Sequence, residues 1–192
     1  MTPEMFQDAL CEEIRNLLKD RKYKKPPKEP EEPDFDEERY DELDDDPEDN
    51  PEGEPEEELK KPEPELVPMT VFPQNIPVPL SVDEDENPVP YIIVRLNGGT
   101  DANTSDSEYI MQVVVIMGIW DDDRKAQGHR ELLNIINLVY TRFATNPCLA
   151  GQYTYKGEFE WDIQEDGYYP YYFGAFKMNF AIPAIRREDP YC

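Results

Sequence analysis

The chain has 192 residues, of which 44 are acidic and 19 are basic, so the formal net charge is −25. This length suits one domain with an additional segment and excludes two full catalytic domains. The charge balance excludes nucleic acid or an anionic membrane as the main partner, because binding to phosphate groups requires clustered lysine and arginine.

The N-terminal residues, 1–24, have the pattern of an amphipathic helix that belongs to the core domain. Thr2 can cap such a helix, Pro3 suits its first position, and Glu4 complements its positive end. We expect the helix to extend to about Tyr23. Apolar residues recur at steps of three and four, which predicts one buried stripe. The stripe consists of Phe6, Leu10, Ile14, Leu17 and Leu18.

Residues 25–66 are predicted to form a disordered, acidic, proline-rich insert. Between Pro26 and Glu65 there are 21 acidic residues, four basic residues and nine prolines, which give this stretch a net charge of −17. Such a segment cannot bury enough apolar area to offset its ordering entropy. We weigh two roles for it: a solvated, solubilising brush, which runs of like charge favour, or a segment that docks on a basic neighbour.

Residues 67–192 complete the core domain and begin with three candidate strands. Residues 67–72 form a short stretch flanked by prolines, which indicates an edge strand. Residues 91–96 form a second strand, which Asn97-Gly98-Gly99 should end. Residues 109–120 are apolar on both faces, so we expect this strand at the centre of the sheet.

A second helix is predicted over residues 129–144, after Gly128 and before Asn146-Pro147. Residues 158–163 then alternate, with Phe159, Trp161 and Ile163 directed inward, and this strand should pair with residues 171–182. The order of elements predicts an α+β fold. We expect a small antiparallel sheet of about four strands, two helices packed on it, and the disordered acidic insert.

No pattern of residues predicts catalysis. The single histidine, His129, lies at a helix start without a nucleophile beside it, and glycine-rich phosphate-binding loops are absent from the sequence. A stretch from Asp101 opens like a calcium loop, but it has Asp106 at the glycine position and Gln112 at the final glutamate position. We therefore expect no catalytic residue, no cofactor and no bound metal, and we do not expect an enzyme.

The cysteines and the chain start favour a cytoplasmic origin. Cys11, Cys148 and Cys192 are widely spaced and odd in number, which is typical of reduced thiols rather than of disulfides or zinc ligands. The first residues lack the basic and apolar regions of a secretory signal. No apolar run approaches the roughly 20 residues that span a bilayer, so no membrane partner is expected.

The segment 167–174 is aromatic on both faces of its predicted strand. Alternation buries only one face of a strand against the helices, so Tyr171 and Phe173 should point away from the core. Aromatic side chains are enriched at the centres of protein interfaces, which favours a subunit contact. The alternative is a strand buried on both sides within a thicker fold. The predicted contact residues are Trp120, Tyr169, Tyr171, Phe173, Arg186 and Arg187.

The chain resembles the tail terminator, or tail-completion, proteins of long-tailed bacteriophages. The likeness covers the N-terminal helix and most of the sequence after Pro88, and it excludes the acidic insert. It rests on an apolar strand that ends in acidic residues, a helix after a glycine, and a late strand followed by two arginines. These pieces are residues 115–123, Gly128 with residues 131–136, Asn146-Pro147, Trp161, residues 176–183, and Arg186-Arg187.

The resemblance implies a structural virion protein that forms a ring, usually hexameric, at the head-proximal end of the tail tube. Such a ring stops tube polymerisation and joins the tail to the head-completion connector. The implied partners are other copies of the chain, the major tail tube protein and the connector, with DNA only passing through the lumen. Assembly would take place in the host cytoplasm. A negative lumen would suit DNA passage, because attachment would require cations to displace the phosphate counterions.

A second function from another class is an acidic regulatory protein, such as a DNA mimic or an inhibitor of a basic host enzyme. Mimics usually distribute carboxylates over a folded surface. Here 21 of the 44 acidic residues lie in one unpatterned insert. Copurification with nucleases rather than tail proteins would favour this alternative.

Overall fold

The computed structural model describes residues 2–27, 64–78, 88–102, 108–164 and 168–184. The first helix, α1, spans Pro3–Leu18. The Thr2 hydroxyl caps it by accepting a hydrogen bond from the Met5 N–H at 3.4 Å, as the sequence predicts. The helix ends earlier than predicted, because Tyr23–Lys24 forms a short strand, β1, instead of a final helical turn.

Strand β1 holds together the two ends of the predicted insert. It pairs antiparallel with β2, Leu66–Val67, and the Lys25 N–H donates to the Glu65 carbonyl at 2.8 Å. The residues that flank the predicted insert therefore lie side by side. Residues 28–63, which include most of the insert predicted over 25–66, lie outside the described residues.

The remaining strands form one six-stranded sheet, curled into a half-barrel. Its spatial order is β3-β4-β5-β8-β7-β6, so that the predicted central strand, β5, lies between two long neighbours. The second helix, α2, spans His129–Thr145, between β5 and β6. The strands are β3 Thr70–Pro73, β4 Tyr91–Thr100, β5 Tyr109–Trp120, β6 Cys148–Leu149, β7 Tyr153–Ile163 and β8 Tyr171–Ile182.

The fold is α+β with two helices, as predicted, but the prediction of a four-stranded antiparallel sheet is wrong. The sheet is mixed, because β3 runs parallel to β4 while every other neighbouring pair is antiparallel. The predicted strand 67–72 is divided at Pro68, which separates β2 from β3. Hydrophobic alternation identifies a strand but not the direction of its neighbour, so the parallel pair was not predictable from the pattern.

Two strands are longer than their sequence patterns indicated. Strand β4 continues through Asn97, Gly98 and Gly99 to Thr100, and its register with β5 shifts between Leu96 and Gly98. A bulge absorbs the irregular residues without ending the ladder. Strand β7 begins at Tyr153 rather than at residue 158, and its register with β8 shifts between Tyr155 and Phe159.

The hydrophobic core lies between the two helices and one face of the sheet. Phe180 of β8 is fully buried, and its ring centroid lies 5.2 Å from that of Phe6 in α1 and 5.2 Å from that of Phe143 in α2. Tyr153 contacts Phe6 from the next strand at 5.1 Å. These edge and tilted contacts join both helices to the sheet through one ring.

A glutamine pair fastens α1 to the parallel edge of the sheet. Gln7 is buried, and its Nε2 donates to the Val94 carbonyl at 2.7 Å and to Gln74 Oε1 at 2.9 Å. Gln74 follows β3, and its Oε1 also accepts from the Leu96 N–H at 3.0 Å. Where β3 ends, the side chain of Gln74 thus provides a hydrogen bond to β4 that a further strand residue would otherwise make. The buried amide nitrogen of Gln7 has two hydrogen-bond acceptors.

We predict that Gly128→Ala destabilises the domain by about 1–3 kcal/mol. A Cβ at Gly128 would overlap Cδ2 and Cε2 of the Tyr172 ring, which packs on the start of α2. Gly98→Ala is the matched control, because a Cβ there meets nothing within 4 Å. Urea unfolding of both variants measures the difference, and equal midpoints would contradict the packing argument.

Stability should also fall as the pH rises above about 10, partly through Tyr23. Burial raises the pKa of the Tyr23 hydroxyl to about 12, against an ordinary value of 10.0. The neutral form is therefore favoured in the folded chain. Its stabilising contribution is complete below pH 10 and is lost as the pH approaches 12. Unfolding free energies of wild type and Tyr23→Phe across this range test the prediction, since the variant should show the shallower decline.

Candidate subunit interface

The sheet has a second face, opposite the helices, that is apolar at its centre. We call it the outer face. It consists of alternate residues of β4, β5 and β8, whose neighbours in sequence point into the helical core. The buried residues of both helices cluster with the opposite face of the sheet. The apolar outer-face residues of these strands include Tyr91, Ile93, Val114, Ile116, Gly118, Trp120, Tyr171, Phe173 and Ala175.

Two aromatic rings converge over a glycine on the outer face. Tyr91 and Phe173 are the cross-strand neighbours of Gly118 on its two sides. A Cβ at Gly118 would lie 2.8 Å from Tyr91 Cε1 and 3.1 Å from Phe173 Cε1. Gly118 therefore leaves the space that the rings occupy. Burial in this cluster raises the pKa of the Tyr91 hydroxyl.

Three of the predicted contact residues lie together on this face. Trp120 pairs in register with Tyr171, and Phe173 lies two residues further along β8. Tyr171 and Phe173 are half-buried and point away from the helices, as predicted, while Tyr172 between them packs against the core. Trp120 is 8% exposed, so it forms the floor of the patch rather than its surface.

The other predicted contact residues are distributed differently. Tyr169 lies beside the patch in the connection before β8, with a ring that is 53% exposed and a hydroxyl that donates to the Asp122 carbonyl at 2.9 Å. Arg186 and Arg187 lie outside the described residues. The structure therefore brings Tyr169 to the rim and Trp120, Tyr171 and Phe173 to the centre.

Sequence reasoning missed the contribution of β4 to the patch. Tyr91 and Ile93 complete it, and Ile93 is only 6% exposed. The apolar second face of residues 109–120 was a signal that something must cover or flank that strand. The register that sets Tyr91 beside Gly118 and Ile93 beside Ile116 is a tertiary property, which no local pattern reports.

Charged groups border the patch where β5 ends. Lys24 Nζ lies 2.5 Å from Asp121 Oδ1 and 3.3 Å from Asp122 Oδ1. Its hydrogen bond to Asp121 raises the pKa of Lys24. The Asp121 N–H in turn donates to the Pro170 carbonyl at 2.9 Å. These bonds place the paired ends of the insert beside the aromatic patch and give it the polar rim that is typical of an interface.

Other kinds of site are not indicated within the part of the chain that the structure describes. There, no group of three or more histidine, cysteine or carboxylate side chains is arranged to hold a metal ion. The incomplete calcium pattern from Asp101 falls partly on residues 103–107, outside that part. His129 is half-buried at the first position of α2. Neither described helix is long and apolar enough to cross a membrane.

No protein-family model and no curated protein matches this sequence. The candidate interface therefore rests on the geometry of the outer face and on the resemblance drawn from the sequence.

Truncation of two phenylalanines of β8, one in the core and one on the outer face, should lower the free energy of unfolding by different amounts. Phe176→Ala should cost about 3–5 kcal/mol of stability, because its ring is 2% exposed within the core. Phe173→Ala should cost less, about 1–2 kcal/mol, since its half-buried ring loses a smaller contact area. Chemical denaturation at low protein concentration measures both. A larger loss for Phe173 would contradict the assignment of the two faces.

Proposed function

We propose that the protein is a tail terminator, which assembles into a ring at the head-proximal end of a bacteriophage tail tube. The observation that carries the proposal is the aromatic outer face across β4, β5 and β8, opposite the face that the two helices cover. Contiguous exposed apolar patches mark sites where another protein binds. The order of elements on which the resemblance rests, from the apolar strand through the helix to the last strand, supports the same assignment.

A head-to-tail ring requires two different surfaces on each copy. The outer face is one such surface, because Tyr171, Phe173 and Tyr91 offer aromatic area above the floor formed by Trp120 and Ile93. A heterologous contact closes into a ring when its rotation completes a circle. The second surface would be the part of the neighbouring copy that covers this outer face.

The charge of the chain fits the proposed place in the virion. A net charge of −25 gives the ring little attraction for the DNA that would pass through it. In this arrangement one end of the ring would contact the major tail tube protein, and the other end would contact the head-completion connector. Carboxylates should then line the inner wall of the ring, and a basic lumen would contradict the proposal.

The oligomeric mass of the purified protein tests the ring. We expect wild type to sediment as a closed oligomer that negative staining shows as a ring. Tyr171→Asp with Phe173→Ser should shift it to monomer, because a charge and a hydroxyl replace two contact rings. The matched control is Met5→Asp with Val78→Ser, which alters residues that are 52% and 84% exposed and that lie outside β4, β5 and β8.

Function in assembly is tested by adding the protein to polymerising tail tube protein. Wild type should shorten the tubes and label one end, whereas the Tyr171 and Phe173 double variant should leave tube length unchanged. A wild-type protein that remains monomeric and leaves the tubes unaffected would contradict the proposal. Copurification with a basic host enzyme would instead favour the inhibitor function.

A further inference from the structure

Among the residues that the structure describes, one edge of the sheet is open along most of β7. Strand β6 pairs with this edge only at Tyr153 and Thr154. From Lys156 to Ile163, no strand among the described residues pairs with β7 on the side away from β8. An unpaired strand edge is a template for a further strand, unless the chain blocks it.

The backbone of three residues is directed toward this open edge. In an antiparallel ladder, successive residues alternate between facing one neighbour and facing the other. The Gln164 N–H donates to Phe173 of β8 at 3.1 Å, whereas the Tyr155 N–H donates to Pro147, on the β6 side, at 2.8 Å. The bulge between Tyr155 and Phe159 preserves the alternation, since it adds two residues. Odd-numbered positions therefore face outward, which leaves the N–H and C=O groups of Phe159, Trp161 and Ile163 at the edge.

The same residues form one wall of an apolar groove against α2. The groove has a volume of about 430 Å³. The ring of Tyr140 lies 5.2 Å from that of Phe159, and Phe159 stacks on Phe176 at 5.2 Å. Trp161 is 55% exposed and Tyr140 is 46% exposed, so both present aromatic surface to solvent. The groove is lined by Leu133, Ile136, Asn137, Tyr140, Phe159 and Trp161.

The other face of β7 is acidic. Glu158, Glu160 and Asp162 alternate with the groove residues and are exposed. Lys177 of β8 pairs with Glu160 at 2.7 Å. A strand added at the edge would place its own side chains directly beside these carboxylates, where cross-strand pairs of opposite charge are favourable and like charges are not.

We propose that the open edge of β7 binds a strand of a different protein in which apolar residues alternate with lysine or arginine. The apolar side chains would enter the groove beside Trp161, the basic ones would face Glu158 and Asp162, and the main chain would extend the ladder. The groove lies on the helix side of the sheet and the carboxylates lie on the side of the outer face, but the contact is made at the edge strand β7 and not at the aromatic centre over β4, β5 and β8. The inference therefore does not depend on the ring.

A second copy of this chain suits the edge poorly. At the opposite edge of the sheet, the Val71 carbonyl of β3 already accepts a hydrogen bond from Arg15 Nη2 at 2.8 Å, and β3 ends at Pro73. That edge therefore offers an incomplete ladder to a neighbour. Pairing with β7 of a second copy would set the exposed carboxylates of the two strands against one another.

The test uses the full chain and three fluorescent peptides of about nine residues, enough to span the open strand. The first alternates isoleucine with lysine. The second has the same composition with the lysines in one block, and the third is the alternating peptide with N-methyl groups on alternate amides. Fluorescence anisotropy at physiological salt should show the first binding at least about tenfold more tightly than the others. Equal binding of all three would overturn the proposal, because it would show charge attraction alone.

Matched variants locate the binding. Trp161→Lys should weaken binding of the alternating peptide at least about tenfold, because it removes a groove wall and adds a repelling charge. Leu66→Lys is the control, since Leu66 is also 55% exposed but lies in β2, and it should bind as wild type does. Unchanged binding by Trp161→Lys would overturn the proposal. A fall in sedimenting mass of that variant would also overturn it, because the occupant would then be a second copy.

Discussion

The architecture depends on one constraint: a β-sheet has two faces, and two short helices can cover only one of them. Strand β5 carries apolar residues on both sides, as do its neighbours β4 and β8 near their paired ends. Burial of the inner set against α1 and α2 accounts for the folded domain. The apolar residues of the outer face would also gain free energy from burial. A second molecule can provide the burial that the two helices do not.

Two glycines make room for aromatic side chains, one on each face of the sheet. Gly118 leaves room for Tyr91 and Phe173 to meet across the outer face, while Gly128 leaves room for Tyr172 on the inner face. Tyr172 and Phe173 are adjacent in β8 and point to opposite sides. The aromatic run of the last strand is thus divided between stabilising the domain and building the surface where we propose that copies meet.

Much of the fold was predictable because its signals are local. Both helices, the central position of β5 and the bounds of β8 follow from capping residues and alternation, and Tyr171 and Phe173 were correctly directed away from the core. The features that were missed depend on long-range pairing. They are the parallel β3, the continuation of β4 through a bulge, the short β6, and the contribution of Tyr91 to the outer face. A sequence pattern carries periodicity but not register, and register decides which side chains meet.

The ladder between β1 and β2 has a consequence for how the chain tolerates change. Because Tyr23 pairs with Val67 and Lys24 is bound to Asp121, the two ends of the predicted insert are held side by side on the domain. The entropy of closing a flexible segment rises only slowly with its length, by about 0.6 kcal/mol for each doubling. A segment inserted between two ends that already lie side by side therefore adds little closure entropy, which makes the pairing of β1 with β2 a suitable place to insert an affinity tag.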